Sequence, residues 1–161
     1  MQIQISNYQL KIYLSKLEKR TGICSQSYKN SDKHCLLWDF DNAELEDIKL
    51  ILTGIQFMYN LPEIRIVKSS ANKYHAYCFC ARSFREVINI LSATPQIDMS
   101  YLRLGTARGY FTLRISERDS TKFELVDILK SGFIDEISPL DITVNEYLTS
   151  NRGQNDGKEE R

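Results

Sequence analysis

Two strand-like segments follow each other in the middle of the chain with only a short polar turn between them. "EIRIVKSS" alternates apolar and polar residues, and "KYHAYCFCA" is rich in aromatic residues; both patterns are typical of β-strands. The intervening "SSANK" is typical of a turn, so the two segments are predicted to form an antiparallel hairpin. Such a hairpin argues against a parallel sheet in which strands and helices strictly alternate.

The segments on either side of the hairpin predict further strands and helices. Before it, the apolar run "HCLLWDF" predicts a buried strand, and a helix with its N-cap at Asp41 or Asn42 follows, closed before Pro62. After it, "SFREVINILSATP" predicts a helix capped by Ser83, with Pro95 beyond its end. Two more strands, "IDMSYLRL" and "GYFTLRIS", are predicted around the turn "GTARG".

The predicted order is β-α-β-β-α-β with one extra strand. This order is typical of an α+β fold of the ferredoxin-like or RRM-like type, with an antiparallel sheet and both helices on one face. We expect this core at about residues 35–116, within a single domain spanning 1–150, and a further helix at "TKFELVDILKSG". The other face of the sheet is then available for a ligand or for additional chain. The polar segment 151–161 is predicted to be a disordered tail.

Composition sets limits on the partners. The chain has 161 residues, and 21 lysines and arginines balance 21 aspartates and glutamates, so net charge gives no case for a nucleic-acid or membrane partner. No apolar stretch is long enough to span a membrane, and the N-terminus does not resemble a signal peptide, so we expect an intracellular, cytoplasmic protein. The four cysteines lack CxxC spacing and are predicted to be reduced and buried, although a zinc site with His34 and His75 is an alternative.

Asp39 and Asp41, in "LLWDFDN", are the strongest candidates for chemistry. Residues two apart on an extended strand project to the same side, and two converging carboxylates repel each other unless a cation lies between them. Mg²⁺ or Mn²⁺, with phosphate oxygens as further ligands, suits such a pair. In the alternative interpretation, Asp41 or Asn42 merely starts the following helix and Asp39 is a polar residue at a strand end.

His75 begins the second strand of the hairpin, directly after a loop rich in donors. Ser69, Ser70, Asn72 and Lys73 can all donate to an anion. Beside a two-aspartate metal site, this combination suits a metal-bound triphosphate. A buried structural histidine is the alternative.

Three residues near the last predicted strand pair extend this group. Asp98 is expected on the other flank of the first strand, where its carboxylate completes a three-carboxylate cluster, unless it is only a loop acid after Pro95. Arg108 and Arg114 lie near the ends of the predicted hairpin, and an arginine within a strand is costly unless a carboxylate or phosphate pairs with it.

Together, these motifs resemble the archaeo-eukaryotic primase superfamily, whose members include replicative primase small subunits, primase-polymerases of plasmids and viruses, and end-joining repair polymerases. The resemblance rests on hhhDhD, on S-x-x-x-x-H at a hairpin, and on an acid before an arginine-containing strand, across about residues 36–116. It implies an RRM-like catalytic core and a metal-dependent nucleotidyltransferase that primes DNA synthesis or extends a nucleic-acid 3′ end.

The resemblance also implies roles for individual residues. Asp39 and Asp41 match the catalytic metal ligands of the family, with Asp98 as the third acid. His75 matches the residue that contacts the incoming triphosphate, with Ser70 in the preceding loop, and Arg114 matches a basic residue that faces phosphate. The implied cofactor is Mg²⁺ or Mn²⁺, and the implied partners are a nucleoside triphosphate and template-primer DNA.

The chain departs from the family pattern in two respects. The family's loop before the histidine usually contains glycines, whereas Ala71 and Lys73 stand here, and Lys73 offers a charged contact to phosphate instead. The chain is also short for a primase, which is compatible with a minimal catalytic core, with a subunit whose partner supplies DNA binding, or with a relic that binds without catalysing. A compact member of this family is expected in a virus, plasmid or other mobile element.

Two other classes of protein fit parts of the pattern. "WDFDN" also resembles the first motif of NYN/PIN-type ribonucleases, which need a Rossmann-like parallel sheet, and of small Holliday-junction resolvases, whose lysine and later acid are missing here. A non-catalytic RRM-like module that binds nucleic acid is the third candidate. Its base-stacking aromatic residues would be Tyr74, Tyr77, Phe79 and Tyr110.

Overall fold

A computed structural model of the protein describes residues 2–5, 8–11, 17–27, 32–116 and 122–150. Within these ranges the chain forms nine strands, three α-helices and a short 3-10 helix at Pro139–Asp141. The strands are β1 Gln2–Ile5, β2 Tyr8–Lys11, β3 Leu17–Ser27, β4 His34–Asp41, β5 Ile64–Ser70, β6 Lys73–Arg82, β7 Thr112–Arg114, β8 Glu124–Leu129 and β9 Ile142–Ser150. The helices are α1 Leu45–Tyr59, α2 Phe84–Ser92 and α3 Met99–Arg108.

Seven of the described strands form one antiparallel sheet. The order along it is β7-β3-β4-β6-β5-β8, and β9 pairs with β3. Strands β4, β5, β6 and β7, with α1 and α2 between them, follow the predicted ferredoxin-like order, and β3 lies between the two strands that such a fold places side by side. The predicted α+β fold with an antiparallel sheet is confirmed, and the strands added to this core are β3, β8 and β9.

Helices α1 and α2 cover one face of the sheet. The helix-facing residues of β4 are fully buried against the inner faces of these helices, where large apolar side chains exclude water. The shared core includes Leu36, Trp38 and Phe40 from β4, Ile48, Leu52 and Ile55 from α1, and Val87, Ile90 and Leu91 from α2.

A smaller apolar cluster lies on the opposite face of the sheet. Cys35 and Leu37 of β4 pack there with Tyr77 and Phe79 of β6, and Ile137 covers them. The backbone N–H of Ile137 donates to the carbonyl of Phe79 at 2.9 Å, which ties the covering segment to the sheet. The segment around Ile137 therefore covers the part of this face that lies near the start of β4. The end of β4 lies outside the covered part.

Two predicted elements are wrong. "IDMSYLRL" was expected to be a strand but lies in helix α3, so the predicted turn at "GTARG" is helical too. Asp98 caps this helix at its start, and Gly109, at φ 84°, ends it in the left-handed conformation that glycine adopts easily. "TKFELVDILKSG" was expected to be a helix, but its central residues form the edge strand β8, because pairing with β5 overrides a weak local preference.

The start of α1 also differs from the prediction. Neither Asp41 nor Asn42 caps the helix: Glu44 occupies the N-cap without a side-chain hydrogen bond, and Asp41 is the last residue of β4. Asn42 instead takes the left-handed conformation, at φ 59°, that turns the chain out of the strand. The interpretation of Asp41 as a helix cap is therefore excluded.

Two other local predictions are confirmed, the cap of α2 and the burial of the cysteines. Ser83 caps α2 in a reciprocal capping box with Glu86. The four cysteines, all of them in the described part of the chain, are buried and form no disulfide. No helix among the described residues is long and apolar enough to cross a membrane. The predicted tail, residues 151–161, lies outside the described residues.

Candidate functional site

The last residues of β4 place two carboxylates on the face of the sheet that the helices leave free. The alternation that buries Trp38 and Phe40 among the helices turns Asp39 and Asp41 to the other side. Both are only partly exposed, and they lie beyond the apolar cluster on that face. Two carboxylates of one strand thus lie next to each other in a partly dry environment.

Strand β6 places two nitrogen-containing side chains opposite these carboxylates. In the antiparallel register, Asp39 pairs with His75 and Asp41 pairs with Lys73. Lys73 Nζ donates to Asp41 Oδ2 at 2.6 Å, and His75 Nε2 lies 3.7 Å from Asp39 Oδ1. The pairing of β4 with β6 therefore brings the aspartates close to His75, as the sequence predicted.

Helix α3 places Asp98 beside the same strand. Strands β3 and β4 pair at a single position, Gln26–His34, and further along β4 the α3 segment supplies the contacts. The Asp98 N–H donates to the Asp39 carbonyl at 2.9 Å, and the Tyr101 hydroxyl donates to the Leu37 carbonyl at 2.8 Å. The expected position of Asp98 next to Asp39 is thus found, on a helix start rather than on a strand.

The three carboxylates interact electrostatically. Burial is the main cause that raises the pKa of Asp39, from 3.8 to about 7, and the charges of Asp41 and Asp98 raise it further. Lys73 and Arg114 oppose this rise but do not cancel it. Asp39 is therefore a mostly buried carboxyl group whose neutral form is favoured up to about pH 7.

His75 is buried and is favoured in its neutral form. Burial lowers its pKa from 6.5 to about 4, and the positive charges of Arg114 and Lys73 lower it further. Its Nδ1 lies 3.2 Å from the Tyr77 hydroxyl, and the ring of Phe123 lies 5.7 Å away between centroids. A neutral imidazole fixed in this way offers one N–H donor without adding charge.

Arg114 and Ser70 are two further predicted site residues, each at the end of a strand. Arg114 ends β7; its guanidinium lies 5.3 Å from the centre of the Phe123 ring and donates to the carbonyl of Ser116. Its charge affects the pKa values of both Asp39 and His75, which places it within electrostatic reach of them. Ser70 ends β5 and pairs with Lys73 at the turn of the hairpin.

Arg108 is the one predicted site residue that lies away from this group. It occupies the last turn of α3, is exposed, and is separated from Asp98 by the length of the helix, about 15 Å at 1.5 Å per residue. The predicted strand pair would have brought it closer. Because that segment is helical, Arg108 does not join the carboxylates in this structure.

Asp39, Asp41 and Asp98 are the candidate ligands for a divalent cation. Among the residues that the structure describes, no group of three or more His, Cys, Asp or Glu side chains is arranged to hold a metal ion. The Asp98 carboxylate accepts from the Tyr101 N–H as the cap of α3, and Asp39 and Asp41 are the other two candidate ligands. Mg²⁺ is commonly held by one or two carboxylates together with substrate phosphates and water, so two ligands suffice.

Three aromatic residues of the site were not assigned there by the sequence. Tyr77 could have been expected two positions after His75 on the same strand face, whereas nothing local points to Tyr101 or Phe123.

The aromatic residues proposed for base stacking are mostly unavailable, because Tyr74, Tyr77 and Phe79 are each less than a tenth exposed. Tyr74 lies in the helix-side core, on the opposite face of the sheet.

Comparisons with protein-family models, with curated proteins and with solved structures find no match to this chain.

Proposed function

We propose that this protein is a metal-dependent nucleotidyltransferase of the primase-polymerase type, which adds nucleotides to a nucleic-acid 3′ end. The observation that carries the proposal is the pair Asp39 and Asp41 on the free sheet face, opposite His75 and Lys73 and beside Asp98. Acids lie on one side of this group and phosphate-binding donors on the other. A metal-bound triphosphate has that division of charge.

Each residue has a chemical task in this proposal. Asp39 and Asp41 would hold the cations, which supply activation of the attacking 3′-hydroxyl and charge neutralisation at the leaving pyrophosphate. Lys73 and Arg114 bind phosphate oxygens as charged donors. His75, neutral at pH 7, donates one hydrogen bond to the triphosphate, and Tyr77 at its other ring nitrogen fixes the orientation of the ring.

Most of the catalytic effect would come from positioning and electrostatics. The aspartates and His75 lie on paired central strands, which hold them in place without a loop rearrangement. The hydrogen bonds from α3 to the carbonyls of Leu37 and Asp39 fix the free edge of β4. Template-primer DNA is the proposed polynucleotide partner, and a partner subunit that supplies DNA binding is compatible with the balanced charge of the chain.

The rival functions receive less support from the geometry. The strand pairs of the described sheet are antiparallel, unlike the parallel sheet that an NYN/PIN-type nuclease requires. An RRM-like binding module would need exposed aromatic rings, and Tyr77 and Phe79 are buried instead.

Primer extension tests the proposal. The purified protein is incubated with a 5′-labelled primer on a template, nucleoside triphosphates and Mn²⁺, and both extended primer and released pyrophosphate are measured. Asp39→Asn and Asp41→Asn each remove one ligand charge while keeping the side-chain shape, and we expect a loss of about 100-fold or more. Asp47→Asn is the matched control, because Asp47 is exposed on α1 and lies outside the site.

The same reactions separate the alternatives. Shortening of a labelled RNA that depends on Asp39 and Asp41 would replace the proposal with a nuclease. Binding of nucleic acid in EDTA without extension or cleavage would support a non-catalytic module. Extension that survives both aspartate substitutions, in variants that remain folded by circular dichroism, would place the chemistry elsewhere in the molecule.

A further inference from the structure

Lys73 occupies the position on Asp41 that a metal cation would otherwise take. Its Nζ lies 2.6 Å from Asp41 Oδ2, and no other contact to that carboxylate is as short among the described residues. Lys73 also lowers the pKa of Asp39 and that of His75, so its charge acts on three groups of the site at once. An ammonium group here partly compensates the carboxylates while no divalent cation is bound.

The backbone around Lys73 is held, whereas its side chain is accessible. The Asn42 N–H donates to the Asn72 carbonyl at 2.8 Å, and the Ser69 hydroxyl donates to the Lys73 carbonyl at 3.3 Å. The side chains of Lys73 and Asp41 are 43% and 34% exposed. An ion pair with this exposure is weak and exchanges readily, because water solvates both partners when they separate.

We propose that Lys73 is an exchangeable counter-ion: it pairs with Asp41 in the metal-free protein and moves to the phosphates of the nucleotide when a divalent cation binds Asp41. The inference rests on the proposed function, because it takes the same carboxylates as the cation site. The lysine stem has four carbons and three rotatable donors, so Nζ changes partner without any change in the strand.

The exchange predicts effects of opposite sign on metal and on nucleotide. Lys73→Met keeps the apolar stem and removes the competing charge, so Mn²⁺ alone binds more tightly, by about fivefold, the upper end for a partly exposed ion pair. With Mn²⁺ at a saturating concentration, the same variant binds a nucleoside triphosphate more weakly, also by about fivefold, because a charged donor to phosphate is lost. A lysine that only neutralised Asp41 would not weaken nucleotide binding when removed.

Two binding measurements test this inference without catalysis. Free Mn²⁺ is titrated by electron paramagnetic resonance, and a fluorescent nucleoside triphosphate is titrated by anisotropy in saturating Mn²⁺. Lys73→Arg keeps the charge and should restore nucleotide binding to near the wild-type value. Lys68→Met is the control, since Lys68 is an exposed lysine on the neighbouring strand β5, and it should change neither affinity.

The outcomes distinguish the exchange from the proposed function. If the wild-type protein extends a primer but Lys73→Met binds Mn²⁺ no more tightly, or binds the triphosphate as well as the wild type does, the exchange is wrong and the proposed function stands. If the wild type binds Mn²⁺ neither alone nor together with the triphosphate, both are wrong. Opposite shifts in Lys73→Met, with Lys68→Met unchanged, establish the exchange even when no primer is extended.

Discussion

Asp39 and His75 face each other across β4 and β6, with 3.7 Å between Asp39 Oδ1 and His75 Nε2, yet each is favoured in its neutral form. Burial is the main cause for both, and it disfavours the charged state of an acid and of a base alike. The neighbouring carboxylates raise the pKa of Asp39 further. Arg114 and Lys73 lower the pKa of His75 further. The two side chains therefore do not form a strong ion pair near neutral pH.

Replacing Asp39 with asparagine is expected to stabilise the protein at alkaline pH. The pKa of Asp39 is raised from 3.8 to about 7 in the folded state, so between these values the folded protein holds a proton that the unfolded chain has lost. Wild-type stability therefore falls as pH rises through this window, by at most about 4 kcal/mol at 1.36 kcal/mol per pKa unit. Asparagine has no carboxyl group to titrate, so the stability of Asp39→Asn does not fall in this pH window.

Urea denaturation of the wild type and of Asp39→Asn at pH 4 and pH 8 measures the effect. The two proteins should differ little at pH 4, and the variant should be the more stable by about 2 kcal/mol or more at pH 8. A variant that is less stable than the wild type at both pH values would mean that Asp39 has a structural role in the strand.

His75 is expected to produce the opposite pH dependence. Its pKa falls from 6.5 in the unfolded chain to about 4 in the folded protein, so between these values the unfolded chain binds the proton. Its contribution to stability is complete above pH 6.5 and is lost as pH falls towards 4. Asp39 and His75 change the stability in opposite directions over nearly the same pH range. The two effects therefore partly cancel in the wild-type protein.

A double substitution separates the two contributions. In Asp39→Asn, stability should fall as pH is lowered from 6.5 to 4, and adding His75→Gln should remove most of that fall. The measurement is the free energy of unfolding in urea at half-unit pH steps. Identical pH profiles with and without His75 would contradict the assigned burial of the imidazole.

Mn²⁺ is expected to stabilise the folded protein through Asp39 and Asp41. A ligand that binds only the folded state raises its stability by about 2.7 kcal/mol at 100 times its dissociation constant. Thermal unfolding should therefore shift upward by several degrees with Mn²⁺ and return to its starting value in EDTA. Asp41→Asn should abolish the shift and Asp47→Asn should retain it; an equal shift in both variants would indicate binding elsewhere.

The sequence predicted the centre of the site because it depends on regular strand geometry. Alternation along β4 fixes which face carries Asp39 and Asp41, and the hairpin order brings His75 to the adjacent strand. The remaining parts depend on tertiary packing. Phe123 reaches His75 only because β8, which starts one residue later, pairs with β5, a pairing about 60 residues distant in sequence that leaves little local signal.

Asp98 lies beside Asp39 as predicted, but at the start of helix α3 and not on a strand. The short segment from Ile97 to Tyr101 alternates as a strand does, but Asp98 and Gly109 also bracket it as helix caps, and the caps prevail. The same error displaced Arg108, whose expected position assumed a hairpin. Alternation over so few residues does not distinguish a strand from a helix, whereas paired caps carry more information.

Gly105 is expected to be essential for the packing of α3 against the rest of the fold. A Cβ atom at this position would clash with Cδ1 of Phe111, whose ring is fully buried and also contacts Tyr101. Gly105→Ala should therefore destabilise the protein by about 1–3 kcal/mol, since either the helix or the buried ring must shift to admit the methyl group.

Gly54 provides the matched control for this substitution. It lies in α1, and a Cβ atom added there meets nothing within 4 Å, so Gly54→Ala should stabilise the protein by about 0.5–1 kcal/mol through helix propensity alone. Urea denaturation of both variants gives the comparison. Because α3 holds Asp98 beside Asp39, Gly105→Ala should also weaken Mn²⁺ binding, whereas Gly54→Ala should leave it unchanged. Opposite signs of the two stability changes would confirm the close contact of α3 with Phe111, and equal signs would contradict it.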